Sequence, residues 1–161
     1  MADQDRYDAL RASKLAAELT DAQCHALAEV TTLRDLKEGD VLVREGSTDS
    51  HLYVIVKGVL GVKKAAGTPE EMTLYTLSSG DFVDELGFLD GTVYYASKVA
   101  LGETRVLGLE REKLESLLPT HPEIVYKVMR AIIRTVHQIQ RRLSMQSVEL
   151  TNYIYKQHGR Y

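Results

Sequence analysis

The sequence predicts a mainly β domain, a β-roll of the jelly-roll or double-stranded β-helix type, with helices on both flanks. Three observations carry that prediction. The centre is a series of short β-branched and aromatic runs cut by glycines, apolar residues before it recur at helical spacing, and a long helical period follows it. The 161 residues suit one domain with a proper core plus one long accessory element. A hydrophobic share of 44% and a charged share of 27% are globular values, which exclude overall disorder.

Residues 1–36 read as N-terminal helices. Leu15, Leu19, Leu27 and Val30 share one apolar face, and Thr20 followed by Gln23 forms a capping box that opens a helix. Cys24 falls one turn before Leu27 and reads as a small core residue.

Residues 37–108 read as the β-roll. Gly39, Gly46, Gly58, Gly80 and Gly91 separate runs such as HLYVIVKGVLGVKK, MTLYTLSSGDF and YYASKVAL, and AAGTPE reads as a hairpin loop.

Residues 109–161 return to helix. EREKLESLL is a short helix closed near Pro119, and Thr120-His121-Pro122-Glu123 is a capping box with an early proline that opens a long one. Along that helix Met129, Ile132, Val136, Ile139, Leu143, Gln146, Leu150 and Tyr153 alternate in steps of three and four. The pattern predicts a coiled-coil seam and a homodimer; the alternative is a helix laid along its own β-roll.

Several function classes are disfavoured. A net charge of −3 argues against a nucleic-acid binder. A lone Cys24 excludes a disulfide framework and cysteine-based zinc or iron–sulfur sites, and fits a reducing cytoplasm. No stretch approaches the roughly 20 apolar residues of a membrane span, and the acid-rich N-terminus lacks a signal-peptide core. His25, His51, His121, His137 and His158 form no metal-spaced pair, and no serine stands in a nucleophile setting, so neither a metal site nor an enzyme is expected. Arg130, Arg134, Arg141, Arg142 and Lys156 make the long helix locally basic, which reads as the solvated side of a coiled coil.

The motifs KEGDVLVREG (37–46), HLYVIVKGVLGV (51–62) and SGDFVDEL (79–86), in this order between N-terminal helices and a long C-terminal helix, resemble the bacterial cyclic-nucleotide-binding domains of the catabolite-activator type. The resemblance covers about residues 13–150. It implies a ligand pocket at Asp84, Glu85, Leu86, Tyr94, Tyr95 and Ala96, with Gln140 of the long helix as the polar residue facing a base. In such domains a Gly-Glu pair opens a short helix whose backbone N–H groups meet the cyclic phosphate, while the glutamate takes the ribose 2′-hydroxyl. Glu85 matches that glutamate, but Asp84 replaces the glycine, and Tyr94-Tyr95-Ala96 stands where the family has Arg-Ser-Ala or Arg-Thr-Ala.

The family's arginine forms a bidentate pair with the phosphate. Removing one partner of such a buried charged pair costs about 2–5 kcal/mol. A carboxylate at Asp84 about 5 Å from a phosphate would add roughly 3 kcal/mol of repulsion at an effective dielectric of 20. Lys98, the nearest cation in sequence, stands about 13 Å beyond Tyr94 along an extended strand, which argues against it as a substitute. The phosphate cradle is therefore expected to be degenerate, with cyclic AMP or cyclic GMP disfavoured as ligands and no cofactor required.

The function expected is a non-catalytic regulatory or sensor module, cytoplasmic and homodimeric, that acts through a partner protein. The alternatives are a functional cyclic-nucleotide receptor and a purely structural dimerisation protein. Transcription factors with this core continue into a helix-turn-helix domain, for which the sequence ending at Tyr161 leaves no room, so DNA is not expected as a partner.

Overall fold

The computed structural model describes residues 1–158; Gly159, Arg160 and Tyr161, the end of the third region, lie outside the described residues. Helix α1 (Ala2–Arg11), a 3-10 turn (Lys14–Ala16) and α2 (Asp21–Glu29) open the chain. Leu15, Leu19, Cys24 and Leu27 are buried as their spacing predicts. The capping box at α2 is complete: Gln23 N–H donates to Thr20 Oγ1 at 3.2 Å, and Thr20 N–H donates to Gln23 Oε1 at 3.1 Å.

The helical reading of residues 1–36 runs too far. Thr31–Leu36 is strand β1, paired antiparallel with β8 (Thr104–Glu110) from Thr31 against Leu109 to Leu36 against Thr104. Leu33 and Leu36 prolong the three-residue spacing of α2, but Thr31 and Thr32 are β-branched and the partner strand lies far along the chain. Long-range pairing overrides the local period here.

The roll consists of two antiparallel sheets of four strands. One has the order β1-β8-β3-β6, with β3 spanning His51–Lys57 and β6 Phe82–Val83; the other has β2-β7-β4-β5, with β2 Val41–Val43, β4 Val59–Lys64, β5 Met72–Ser78 and β7 Ser97–Ala100. Strand β3 shows why HLYVIVK is apolar at successive positions rather than alternating. Leu52 and Val54 join the core shared with the helices, whereas Tyr53 and Ile55 face the second sheet. Burial on both faces removes the polar side of the alternation. Between β3 and β4, Gly58 sits at φ +92°, and a Cβ there would lie 2.5 Å from the Glu103 carbonyl oxygen. Only glycine fits this corner.

After the roll come α4 (Arg111–Glu115) and α5 (Pro122–His158), with a proline as first residue of α5. Ile124, Val128 and Ile132 are buried in the core with Leu10, Leu15 and Leu27, and Met129 and Val136 are packed against it. The eight positions expected to form a seam therefore divide between core and surface. Met129, Ile132 and Val136 serve the domain's own core, and the exposed apolar stripe begins at Ile139 and continues through Leu143, Leu150 and Tyr153. Gln146 lies on the exposed stretch as well. Arg130 and Arg134 pair with Glu18 at 3.1 and 3.3 Å, so part of the basic character of α5 ties it to the N-terminal segment. No helix among the described residues is long and apolar enough to cross a membrane.

Candidate ligand site

Between the second sheet, the short helix α3 (Glu85–Asp90) and the middle of α5 lies a cavity of about 500 Å³. Asp84, Glu85, Leu86, Tyr94 and Tyr95 all line it, so five of the six roll positions implied by the resemblance converge there. Ala96, the sixth, is fully buried beside it and does not line it. From α5 the lining comes from Thr135, Gln138, Ile139, Arg142 and Leu143. Gln140 is exposed and does not line the cavity; Gln138 is the glutamine of α5 that does.

Asp84 is the N-cap of α3 and holds φ +67°, a left-handed conformation that glycine adopts at no cost and that aspartate tolerates better than most residues. The substitution therefore retains the turn while adding a carboxylate. Its cation is Lys98, whose Nζ lies 2.6 Å from Asp84 Oδ1, with the two side chains only 6% and 3% exposed. The expectation that Lys98 stands too far off is overturned. Residues 91–96 do not continue a strand; the chain bends at Tyr95 and Ala96 before β7 begins at Ser97. That bend brings the Lys98 ammonium to 5.1 Å from the Tyr94 ring centre and 5.4 Å from that of Tyr95. Both distances are within cation–π range.

Tyr94 is held by its backbone: its N–H donates to the Ser47 carbonyl at 2.9 Å, and its own carbonyl accepts from Gly46 N–H at 2.8 Å. The ring is 4% exposed and belongs to the apolar cluster of Tyr53, Ile55, Leu60 and Val83. It packs on Gly87, where a Cβ would stand 2.9 Å from Tyr94 Cε1. Tyr95 is half exposed and hydrogen-bonds through its hydroxyl to that of Tyr75 on β5.

The floor is rich in acceptors. Asp84 Oδ2 and the Tyr94 hydroxyl are buried without hydrogen-bond partners. Burial pushes the Asp84 carboxyl up, with the hydrogen bond and charge of Lys98 pulling it back. Burial likewise raises Glu85, helped by the negative charge of Asp84, against its own backbone N–H and Lys98. Tyr94 is raised by burial first and then by the Asp84 charge. Below this floor Asp49 accepts from Tyr53 at 3.2 Å and lies 2.6 Å from His51 Nδ1. No cluster suited to a metal ion occurs among the described residues.

The resemblance pointed to this cavity through Glu85 and its neighbours; it placed Lys98 too far off and gave no sign of Tyr75 or Arg142. A lysine amid the buried run SKVA was the available signal, since a strand interior seldom holds an unpaired ammonium.

Known proteins agree with this architecture. The chain is 31% identical over 112 residues to the cAMP-activated global transcriptional regulator CRP of Salmonella typhimurium, covering 69% of this chain and 50% of that protein. The chain spans about half the length of the curated relatives it matches. A cyclic nucleotide-binding domain from Methylobacillus flagellatus superposes with a TM-score of 0.76 at 21% identity, covering 88% of this chain and 81% of that one. The regulatory subunit of a cAMP-independent protein kinase A from Trypanosoma brucei gives a TM-score of 0.68 at 22% identity over 91% of this chain and 52% of that one. A mutant of that subunit, one of whose substitutions introduces an arginine, is bound to cAMP in its A site. The family model of the cyclic nucleotide-binding domain matches residues 33–121, and with more than half of its length so matched the chain belongs to that family.

Proposed function

We propose that this chain is a non-catalytic regulatory module whose cradle holds an internal ion pair where other family members hold a cyclic phosphate. The observation that carries the reading is the buried Lys98–Asp84 contact at 2.6 Å beneath Tyr94 and Tyr95. A phosphate placed against α3 would meet a carboxylate at Asp84, while the nearest cation is already spent on that carboxylate. Neutral tyrosine hydroxyls recover only part of what an arginine supplies, because hydrogen bonds to ionised partners are about twice as strong.

The module works as a homodimer through the exposed part of α5, where Ile139, Leu143, Leu150 and Tyr153 lie on one stripe, and passes its signal to a partner protein. Calorimetric titration with cyclic AMP and cyclic GMP tests the ligand reading. The wild type is expected to show no saturable heat up to millimolar nucleotide. The variant Asp84→Gly/Tyr94→Arg/Lys98→Val, which removes the internal pair and supplies the arginine, is expected to bind. Micromolar binding by the wild type would refute the reading.

A further inference from the structure

We infer that the cavity selects an amine-bearing small molecule, a primary ammonium carried on a flat aromatic ring, with the ammonium directed to the α3 side. The inference rests on the reading that the cradle is closed to phosphate, and it names what the same cavity accepts instead.

The first support is the charge layout. Among the described residues the roll side of the cavity carries three carboxylates, Asp81, Asp84 and Glu85, against the single cation Lys98. Asp81 accepts from the Ser78 N–H and Asp84 pairs with Lys98, whereas Glu85, half-buried, forms no ion pair among the described residues. The other cations that line the cavity, Lys14 and Arg142, are exposed and stand on the helical side. This polarity draws a cationic end inward and turns an anionic end toward the helices.

A second, independent support is the unsatisfied oxygen. The Asp84 side chain is 3% exposed, and its Oδ2 has no partner although Oδ1 is engaged. Together with Glu85 it makes the floor a set of acceptors in need of donors, and a primary ammonium brings three.

The third support is that the protein already places an ammonium in this setting. Lys98 Nζ lies over two tyrosine rings and against a carboxylate. Tyrosine faces beside carboxylates are the chemistry of cation recognition. Tyr75 and Tyr95, joined through their hydroxyls, extend the aromatic wall toward Ile139 and Leu143, which gives a planar ring a surface to lie on. A volume of about 500 Å³ admits a molecule of one or two rings.

The test uses three probes of one shape on the full chain: tyramine, its uncharged counterpart 4-ethylphenol, and the anion 4-hydroxyphenylacetate. Calorimetric titration is expected to show saturable tyramine binding about tenfold or more tighter than 4-ethylphenol, as a charged hydrogen bond implies, and 4-hydroxyphenylacetate weakest of all. Glu85→Gln should reduce the preference for tyramine over 4-ethylphenol at least several-fold with the far-UV circular dichroism unchanged. Equal binding of the three probes, a preference for the anion, or no binding of tyramine at its solubility limit would overturn the inference. The comparison of matched probes on the wild type decides the matter even if the variant fails to fold. A parallel titration with cyclic AMP separates the two claims. Nucleotide binding by the wild type refutes the closed cradle, whereas silence from both nucleotide and tyramine refutes only the amine.

Discussion

Up to Val136, α5 is a core element: Ile124, Val128 and Ile132 are almost wholly buried, and Thr135 turns its hydroxyl back to the Ala131 carbonyl at 3.0 Å. From His137 to Gln157 every residue of the same helix is exposed, including Ile139, Leu143, Leu150 and Tyr153. The two halves share one apolar period, yet one half is buried in its own domain and the other is exposed to solvent. Period reports that a face is apolar; it does not report what covers that face. The cavity lies at the junction, since Thr135 ends the buried half and Ile139 begins the exposed one.

The largest effect is expected beneath that junction. Lys98→Met leaves Asp84 as a buried carboxylate without its partner and should cost about 3–5 kcal/mol in denaturant unfolding, and Lys98→Met/Asp84→Gly should recover most of it. A single variant as stable as the wild type would mean that the pair does not hold the cradle together. Next, Ile132→Ala in the buried half should destabilise by about 2–5 kcal/mol. Leu150→Ala, one face of the exposed half, should change monomer stability by no more than about 0.5 kcal/mol. The same Leu150→Ala should weaken self-association, measured by sedimentation equilibrium. If it leaves association intact, the exposed stripe is not the dimer contact.

Gly87→Ala comes third. Its methyl would meet the buried Tyr94 ring at 2.9 Å, and overpacking of this kind costs about 1–3 kcal/mol. Gly87→Ala/Tyr94→Leu should relieve it, measured by thermal melting. The smallest effect is in the pH profile. Burial holds the folded Asp84 carboxyl above its ordinary value, with Lys98 opposing, so the native state keeps this proton longer than the unfolded chain does. The stability that Asp84 contributes is complete below the ordinary carboxylate range and is lost as pH rises through the raised folded value. Unfolding free energy plotted against pH should therefore fall more steeply just above that range in the wild type than in Asp84→Asn; parallel slopes would remove Asp84 as the cause.

What the sequence revealed was what local chemistry controls. The Thr20–Gln23 cap, the corner at Gly58 and the β-branched runs of β3 and β4 follow from backbone preferences within a few residues, and all three stand in the structure. Strand β1 did not, because Leu33 and Leu36 continue a helical spacing and only pairing with β8 reveals their role. The α3 side of the cavity was legible through Glu85 and its neighbours, whereas the lining from β5 and α5 was not. The ion pair was not, since an extended chain would hold Lys98 far from Tyr94, and the bend at Tyr95 and Ala96 brings the two together. Gln140 does not line the cavity; two residues along a helix turn a side chain to nearly the opposite face, and Gln138 is the glutamine of α5 that does line it.

Helix α5 is unbroken over its 37 residues, so its exposed half is a lever whose fulcrum sits beside the cavity. From Ile139 to His158 the arm is about 30 Å long at 1.5 Å per residue. Any tilt of α5 about this point would be enlarged at the far end: about 5° would carry the tip roughly 2.6 Å. Such a displacement is enough to move a side chain out of register with a neighbour, and it requires no rearrangement within the β-roll.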